Sequence, residues 1–202
     1  MLLLSSRSSL AEASRRALLT GGGKAVLSAT AVALIAGCSA KAGSMDPVQT
    51  AEDPKGDVDI LNTALALEYE GIAAYQVGAE SGLLKPDVLK LAVGFQSDHK
   101  QHADVLSKTI AKLGGTPVQP KTLAEYNFPT STLKSQTDVL RFAEGLEEGA
   151  VNAYKGAIPL FADKDLAGAG ASILGSESMH WAILRYALGD QPPAVAFVGQ
   201  SY

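Results

Sequence analysis

Leu67-Glu68-Tyr69-Glu70-Gly71-Ile72-Ala73-Ala74-Tyr75 and Leu146-Glu147-Glu148-Gly149-Ala150-Val151-Asn152-Ala153-Tyr154 are two versions of one phrase. In each, a glutamate precedes a tyrosine by seven residues (75 − 68 and 154 − 147), about two helical turns. Further on, His99-Lys100-Gln101-His102 before Leu106 aligns with Glu177-Ser178-Met179-His180 before Leu184. The span from first glutamate to last histidine is 102 − 68 = 34 residues in one half and 180 − 147 = 33 in the other. Two matches at nearly constant offset are hard to obtain by chance. The chain reads as a duplicated helical unit.

Apolar residues around these phrases recur at helical spacing. A first segment, about 57–81, carries Leu61, Leu65, Ile72 and Tyr75 on one stripe and stops at Ser81-Gly82. A second opens with Pro86-Asp87, suited to a first turn, and runs through Leu91, Phe95, Leu106 and Ile110 to Gly114-Gly115. A third, about 135–162, carries Leu140, Val151, Tyr154 and Ile158, with Pro159 expected to kink its last turn. A fourth, about 164–189, carries Ile173, Leu174, Leu184 and Leu188 and ends at Gly189 before Pro192-Pro193. Short links make each pair an antiparallel hairpin, whereas about 20 residues with Pro117, Pro120 and Pro129 separate the pairs. The expected fold is all-α: a four-helix bundle of two antiparallel helix hairpins joined by a long crossover.

Glutamate centred in an apolar stripe is the chemical signal. Glu68 sits among Leu61, Leu65, Ile72 and Tyr75, and Glu147 among Leu140, Val151 and Tyr154. A buried, unpaired carboxylate is costly; it takes up a proton, finds a cation or binds a metal. His99 and His102 share a face with Phe95 and Leu106, as Glu177 and His180 do with Ile173 and Leu184. Residues three apart on a helix reach one spot, so Glu177-x-x-His180 is a two-donor grip. One buried histidine alone is more often a satisfied core residue; six convergent donors favour metal. Tyr75 and Tyr154, two turns from their glutamates, either hydrogen-bond groups behind the ligands or simply close the core. Glu70, Glu148 and Asp98 read as solvated, and Met179 and Trp181 as packing.

Over about residues 57–190, roughly two-thirds of the chain, this pattern resembles the ferritin-like superfamily, in particular its exported bacterial members. The resemblance implies a glutamate on the first and third helices and Glu-x-x-His on the second and fourth, together holding two iron or manganese ions. Position by position it makes Glu68, Glu147, Glu177, His180 and His102 metal ligands. One position departs: His99 stands where the family has glutamate. Three carboxylates offset two divalent ions less well than four, and imidazole does not bridge two metals as carboxylate does. That departure shifts the expectation toward a mononuclear site, an asymmetric pair, or a nitrogen-tolerant metal such as zinc or copper. Asp98 and Glu144 are reserve oxygen donors. Asp98 lies about 100° round the helix from His99, whereas Glu144 is one turn before Glu147 on nearly the same face and is the better placed.

The first 42 residues read as an export signal rather than a fold element. Ser14-Arg15-Arg16-Ala17-Leu18-Leu19 precedes an apolar run from Ala25 to Ala36. That run is too short for a membrane span, which needs about 20 residues. The pattern resembles a twin-arginine signal, which exports folded proteins; the alternative is a general secretory signal, whose basic region need not contain this pairing. Ile35-Ala36-Gly37-Cys38 resembles a lipobox that would anchor the chain by a lipid on Cys38, and Ala40-Lys41-Ala42 reads equally as an ordinary cleavage site. Residues 43–56 read as a tether and 191–202 as a tail. The expected location is the periplasm or cell envelope.

Of 17 basic and 21 acidic residues, residues 1–37 hold four (Arg7, Arg15, Arg16, Lys24) and one (Glu12). The remainder carries 13 basic against 20 acidic side chains, a formal −7, which argues against nucleic acid as a partner. The expected partners are metal ions, iron first, with manganese or zinc as alternatives. The functional expectation is an exported metal-binding protein that acts as a di-metal oxidase or peroxide handler. The alternative is a non-enzymatic, stress-related or structural envelope module whose former ligands form a buried network.

Overall fold

The computed structural model describes residues 54–190. The export signal, most of the tether and the tail therefore lie outside the described residues. Four long helices account for most of what is described: α1 (Pro54–Glu80), α2 (Pro86–Lys112), α3 (Gln136–Ala157) and α4 (Lys164–Ala187). Among the described residues no helix is long and apolar enough to cross a membrane.

The helix ends follow local chemistry. α2 begins on Pro86, whose missing N–H costs nothing in a first turn. Ser135 caps α3 by accepting from the Asp138 amide at 3.3 Å, and Asp163 caps α4 by accepting from Asp165 at 2.7 Å and Leu166 at 3.3 Å. Gly114 and Gly189 sit at φ +81° and +77° just past α2 and α4, a left-handed stop that a side chain resists. α1 starts three residues earlier than the apolar pattern indicates. α3 differs at its other end. Pro159 does not kink it but lies in a separate 3-10 turn, Ile158–Leu160, so the helix stops at Ala157.

α1 packs on α2 and α3 on α4, each pair joined by a short turn, and α1 also lies against α3. The crossover of 136 − 112 − 1 = 23 residues contains two further 3-10 turns. Asn62 fastens its start: its Nδ2 donates to the Thr116 carbonyl at 3.2 Å and its Oδ1 accepts from the Val118 amide at 2.8 Å. Buried Asp57 fastens the same end of the bundle, accepting from the Ala162 and Asp163 amides at 2.8 and 2.9 Å.

The core has three layers. Leu61, Leu65, Leu106, Ile110, Tyr154 and Ile173 form one apolar cluster; Tyr75, Phe95, Leu140 and Leu184 form the other. Between them, at mid-height of all four helices, lie Glu68, His99, Glu147, Glu177 and His180, each at most 4% exposed. The fold places ionisable groups where hydrocarbon would ordinarily go.

Candidate metal centre

Six of the seven expected site residues converge. His99 lies at the middle, with Nδ1 2.8 Å from Glu68 Oε2 and Nε2 3.3 Å from Glu147 Oε1. His102 Nδ1 is 2.9 Å from Glu177 Oε1 and 3.5 Å from Glu68 Oε2. His180 Nδ1 is 3.3 Å from Glu177 Oε2 and 3.5 Å from Glu147 Oε1. The donors fall into two overlapping groups: Glu68, His99, His102 and Glu177, then His99, Glu147, Glu177 and His180. Within each group all ligand atoms lie inside 4.8 Å of one another. His99 and Glu177, from equivalent positions in the two halves, are the shared members.

Tyrosines lock this arrangement by exchange. Tyr75 of α1 donates to Glu147 Oε1 of α3, and Tyr154 of α3 donates to Glu68 Oε1 of α1, both at 2.5 Å. Each half therefore orients the other half's carboxylate. Burial, together with Glu147 for Tyr75 and Glu68 for Tyr154, pushes both phenols well above their ordinary pKa, so they stay donors.

Charge reinforces the contacts. Burial pulls the His99 pKa down, but Glu147 and Glu68 outweigh it and raise it to about 10. The same contest ends at about 9 for His102, through Glu177 and Glu68, and at about 9 for His180, through Glu147 and Glu177. Burial pushes the Glu68 and Glu147 carboxyls up. The histidines overcome it, His102 and His99 for Glu68, His180 and His99 for Glu147, and both end below the ordinary value. Without metal, the imidazoles hold protons against the carboxylates.

Do these residues fit an ion? Among the described residues three buried side-chain atoms have no hydrogen-bond partner: His102 Nδ1, Glu147 Oε2 and Glu177 Oε1. Two of them, His102 Nδ1 and Glu177 Oε1, are only 2.9 Å apart without hydrogen-bond alignment. Leaving buried polar atoms unpaired costs about 1–3 kcal/mol each. Ligand atoms about 2.1 Å from a shared ion sit roughly 3.0–3.4 Å apart, and the contacts here bracket that separation, from 2.8 to 3.5 Å. The donor set fits a divalent cation.

Neither reserve donor enters the two groups, and of the two Asp98 is the one that touches a ligand histidine. Glu144 Oε1 accepts from Trp181 Nε1 at 3.0 Å and Arg185 at 3.3 Å, while Arg141 lies 4.0 Å from its Oε2. It belongs to neither donor group; its small rotation from Glu147 turns it toward α4. Asp98, read as solvated, instead reaches His180 Nε2 with Oδ2 at 3.2 Å. Phe95 stacks on the same imidazole, with centroids 4.1 Å apart. The sequence reading missed both contacts. Asp98 lies four residues before His102, a spacing that puts it near the cluster's edge.

A ferritin-like domain model matches residues 56–190 of the chain. The chain belongs to the ferritin-like domain family. Solved structures agree in fold. A conserved hypothetical protein from Mycobacterium tuberculosis is 23% identical, with TM-score 0.61 over 71% of this chain and 97% of that one. A ferritin-like, diiron-carboxylate protein from Bacillus anthracis is 22% identical, with TM-score 0.55 over 68% and 99%. The bacterioferritin-related protein of Bacteroides fragilis, a dodecameric thioferritin, is 26% identical, with TM-score 0.59 over 68% and 86%. A search of curated proteins finds no match. His99 gives this ferritin-like domain a central imidazole where the expected second-helix ligand is a glutamate.

Proposed function

We propose that this is an exported ferritin-like protein that binds divalent metal in its four-helix core, iron first, and acts as an oxidase or peroxide handler. The observation that carries the reading is the misaligned pair His102 Nδ1 and Glu177 Oε1, buried and 2.9 Å apart within a six-donor cluster. Glu68, Glu147, Glu177, His102 and His180 would hold the metal, with His99 between the two halves. The Bacillus anthracis neighbour, a diiron-carboxylate protein, supports iron. A bound iron pair would supply electrons for reducing dioxygen or peroxide. The protein's part is to orient Glu68 and Glu147 through Tyr154 and Tyr75, and to release imidazole protons as the ions enter.

Metal analysis of protein exported by its native host tests this. Near-stoichiometric iron that is lost in Glu147→Ala and Glu177→Ala is the expected result; manganese or zinc would keep the site and change the chemistry. No metal in the parent, with folding unchanged in both variants, sinks the proposal.

One observation favours a second reading, a non-enzymatic stress-related or structural envelope module. Through its two ring nitrogens His99 already joins Glu68 to Glu147, so much of the centre is closed by protons alone. The same metal analysis separates the two. Export rests on the paired arginines and the apolar run, and mass spectrometry of the mature N-terminus tests it. A start at Gly43 excludes the Cys38 lipid anchor, whereas an intact residue 1 excludes export processing.

A further inference from the structure

A cleft of about 170 Å³ opens between α1 and α3 and reaches the edge of the centre. Its lining includes Glu70 and Gly71 of α1, Gly145, Glu147 and Gly149 of α3, and the His99 ring. Gly145 and Gly149 are exposed, while His99 and Glu147 are 4% and 1% exposed, so the cleft spans from solvent to the ligands. At about 30 Å³ of liquid volume per water, it has room for several.

Two glycines of α3 line the cleft. Glycine is the poorest helix former after proline, yet α3 carries it four residues apart on this face. No neighbour requires it: a Cβ at Gly145 or Gly149 would meet nothing within 4 Å. At Gly71 a Cβ would lie 3.1 Å from His99, so there glycine makes room for the ring. What the α3 glycines leave is open space beside the ligands. A second observation gives that space a use. Glu147 Oε2 is buried without a hydrogen-bond partner, and Glu147 lines the cleft.

We propose that this cleft is the entry route for divalent cations, with Glu70 as the first carboxylate met and the unpaired oxygen of Glu147 as the second. The inference rests on the metal-binding reading above. Glu147 Oε1 already faces His99 Nε2 at 3.3 Å, so Glu70 is the carboxylate whose charge draws cations in and the unpaired Oε2 of Glu147 receives them; a neutral molecule would gain nothing from Glu70.

The test is Co(II) uptake by the whole exported protein after chelator treatment, followed by stopped-flow absorbance. Glu70→Gln should slow uptake about tenfold and weaken its dependence on ionic strength. Gly145→Leu with Gly149→Leu should slow it further, because leucine fills the cleft while favouring the helix. All variants should reach the parent's final Co(II) content and spectrum. Two controls separate the route from charge and bulk. Glu148→Gln removes an exposed neighbouring carboxylate, and Gly175→Leu adds bulk on α4 where a Cβ meets nothing. Both should load at the parent rate. Parent-rate uptake in Glu70→Gln and the leucine variant, or equal slowing in the controls, overturns the route while the metal site stands. A parent that takes up no Co(II) overturns both.

Discussion

The two halves of the bundle match in their glutamate–tyrosine phrases and differ in three places beside them. Glu68 and Glu147 are equivalent, equally buried, and each held by the tyrosine of the opposite half. His99 faces its counterpart Glu177 across the centre. Leu65 and Ala103 form an apolar pair where the second half has Glu144 hydrogen-bonded to Trp181. His180 is clamped by Asp98 and Phe95, whereas its counterpart His102 is more exposed. The exchange of tyrosines keeps the shared geometry, because each half's phenol holds the carboxylate of the other. The differences mark where one half has left the common pattern, and His99 is the one at the centre.

Restoring symmetry there should have the largest effect. His99→Glu removes the imidazole that joins Glu68 to Glu147 and adds a fourth carboxylate to a buried cluster. Truncating one side of a buried ion-pair network costs about 3–5 kcal/mol. The metal-free variant should therefore melt well below the parent. Loaded with iron it should recover most of that loss and bind two ions per chain, since four carboxylates balance two divalent charges. Metal content and melting with and without chelator check both halves of the expectation. A variant as stable as the parent without metal would mean His99 is no electrostatic keystone.

A pH series sharpens the same point without mutation. The three imidazoles have ordinary pKa values near 6.5, raised to about 10 for His99 and about 9 for His102 and His180. The stability they contribute is fully present below about pH 6.5 and is lost as pH rises through 9 to 10. Glu68 and Glu147 are shifted down, so their contribution is present above about pH 4.5 and is lost as pH falls through their folded values. Chelator-treated protein should thus be most stable between these limits and weaken toward alkali. Imidazole NMR should show His99, whose two ring nitrogens face Glu68 and Glu147, losing its proton last.

The tyrosines test the half of the comparison that holds. Tyr75→Phe and Tyr154→Phe each remove one hydrogen bond to a buried carboxylate, worth about 1.5–3 kcal/mol. Chemical denaturation should find the two costs equal within about 0.5 kcal/mol. A clear inequality would show that the halves share a pattern and not an energy.

Helices, hairpins and crossover were legible because apolar spacing, Pro86, Pro117, Gly114 and Gly189 all act locally. The six donors were legible for a related reason: a carboxylate or imidazole within an apolar stripe reveals burial before any partner is known. Partners were not legible. That Tyr75 serves Glu147 rather than Glu68 depends on the register between α1 and α3. The contacts of Asp98 and Glu144 depend on which side chains of α4 face them. The α3 stop at Ala157 was misjudged because Pro159 can kink a helix or end it, and the adjoining 3-10 turn decides which.

Glu144 gives the smallest expected effect and the cleanest check on those contacts. By helical position it is one turn from Glu147, and a ligand there would supply the oxygen that His99 withholds. Instead Trp181, Arg185 and Arg141 surround it, while its counterpart in the first half is Leu65. Glu144→Gln keeps an oxygen for the Trp181 indole and removes only the charge that faces partly exposed arginines. Such pairs contribute less than about 1 kcal/mol, so stability should barely move. Iron content should not move at all, because the carboxylates at the centre are Glu68, Glu147 and Glu177. Loss of metal in Glu144→Gln would mean that loading turns this side chain inward. The second half would then supply three carboxylates to the first half's one.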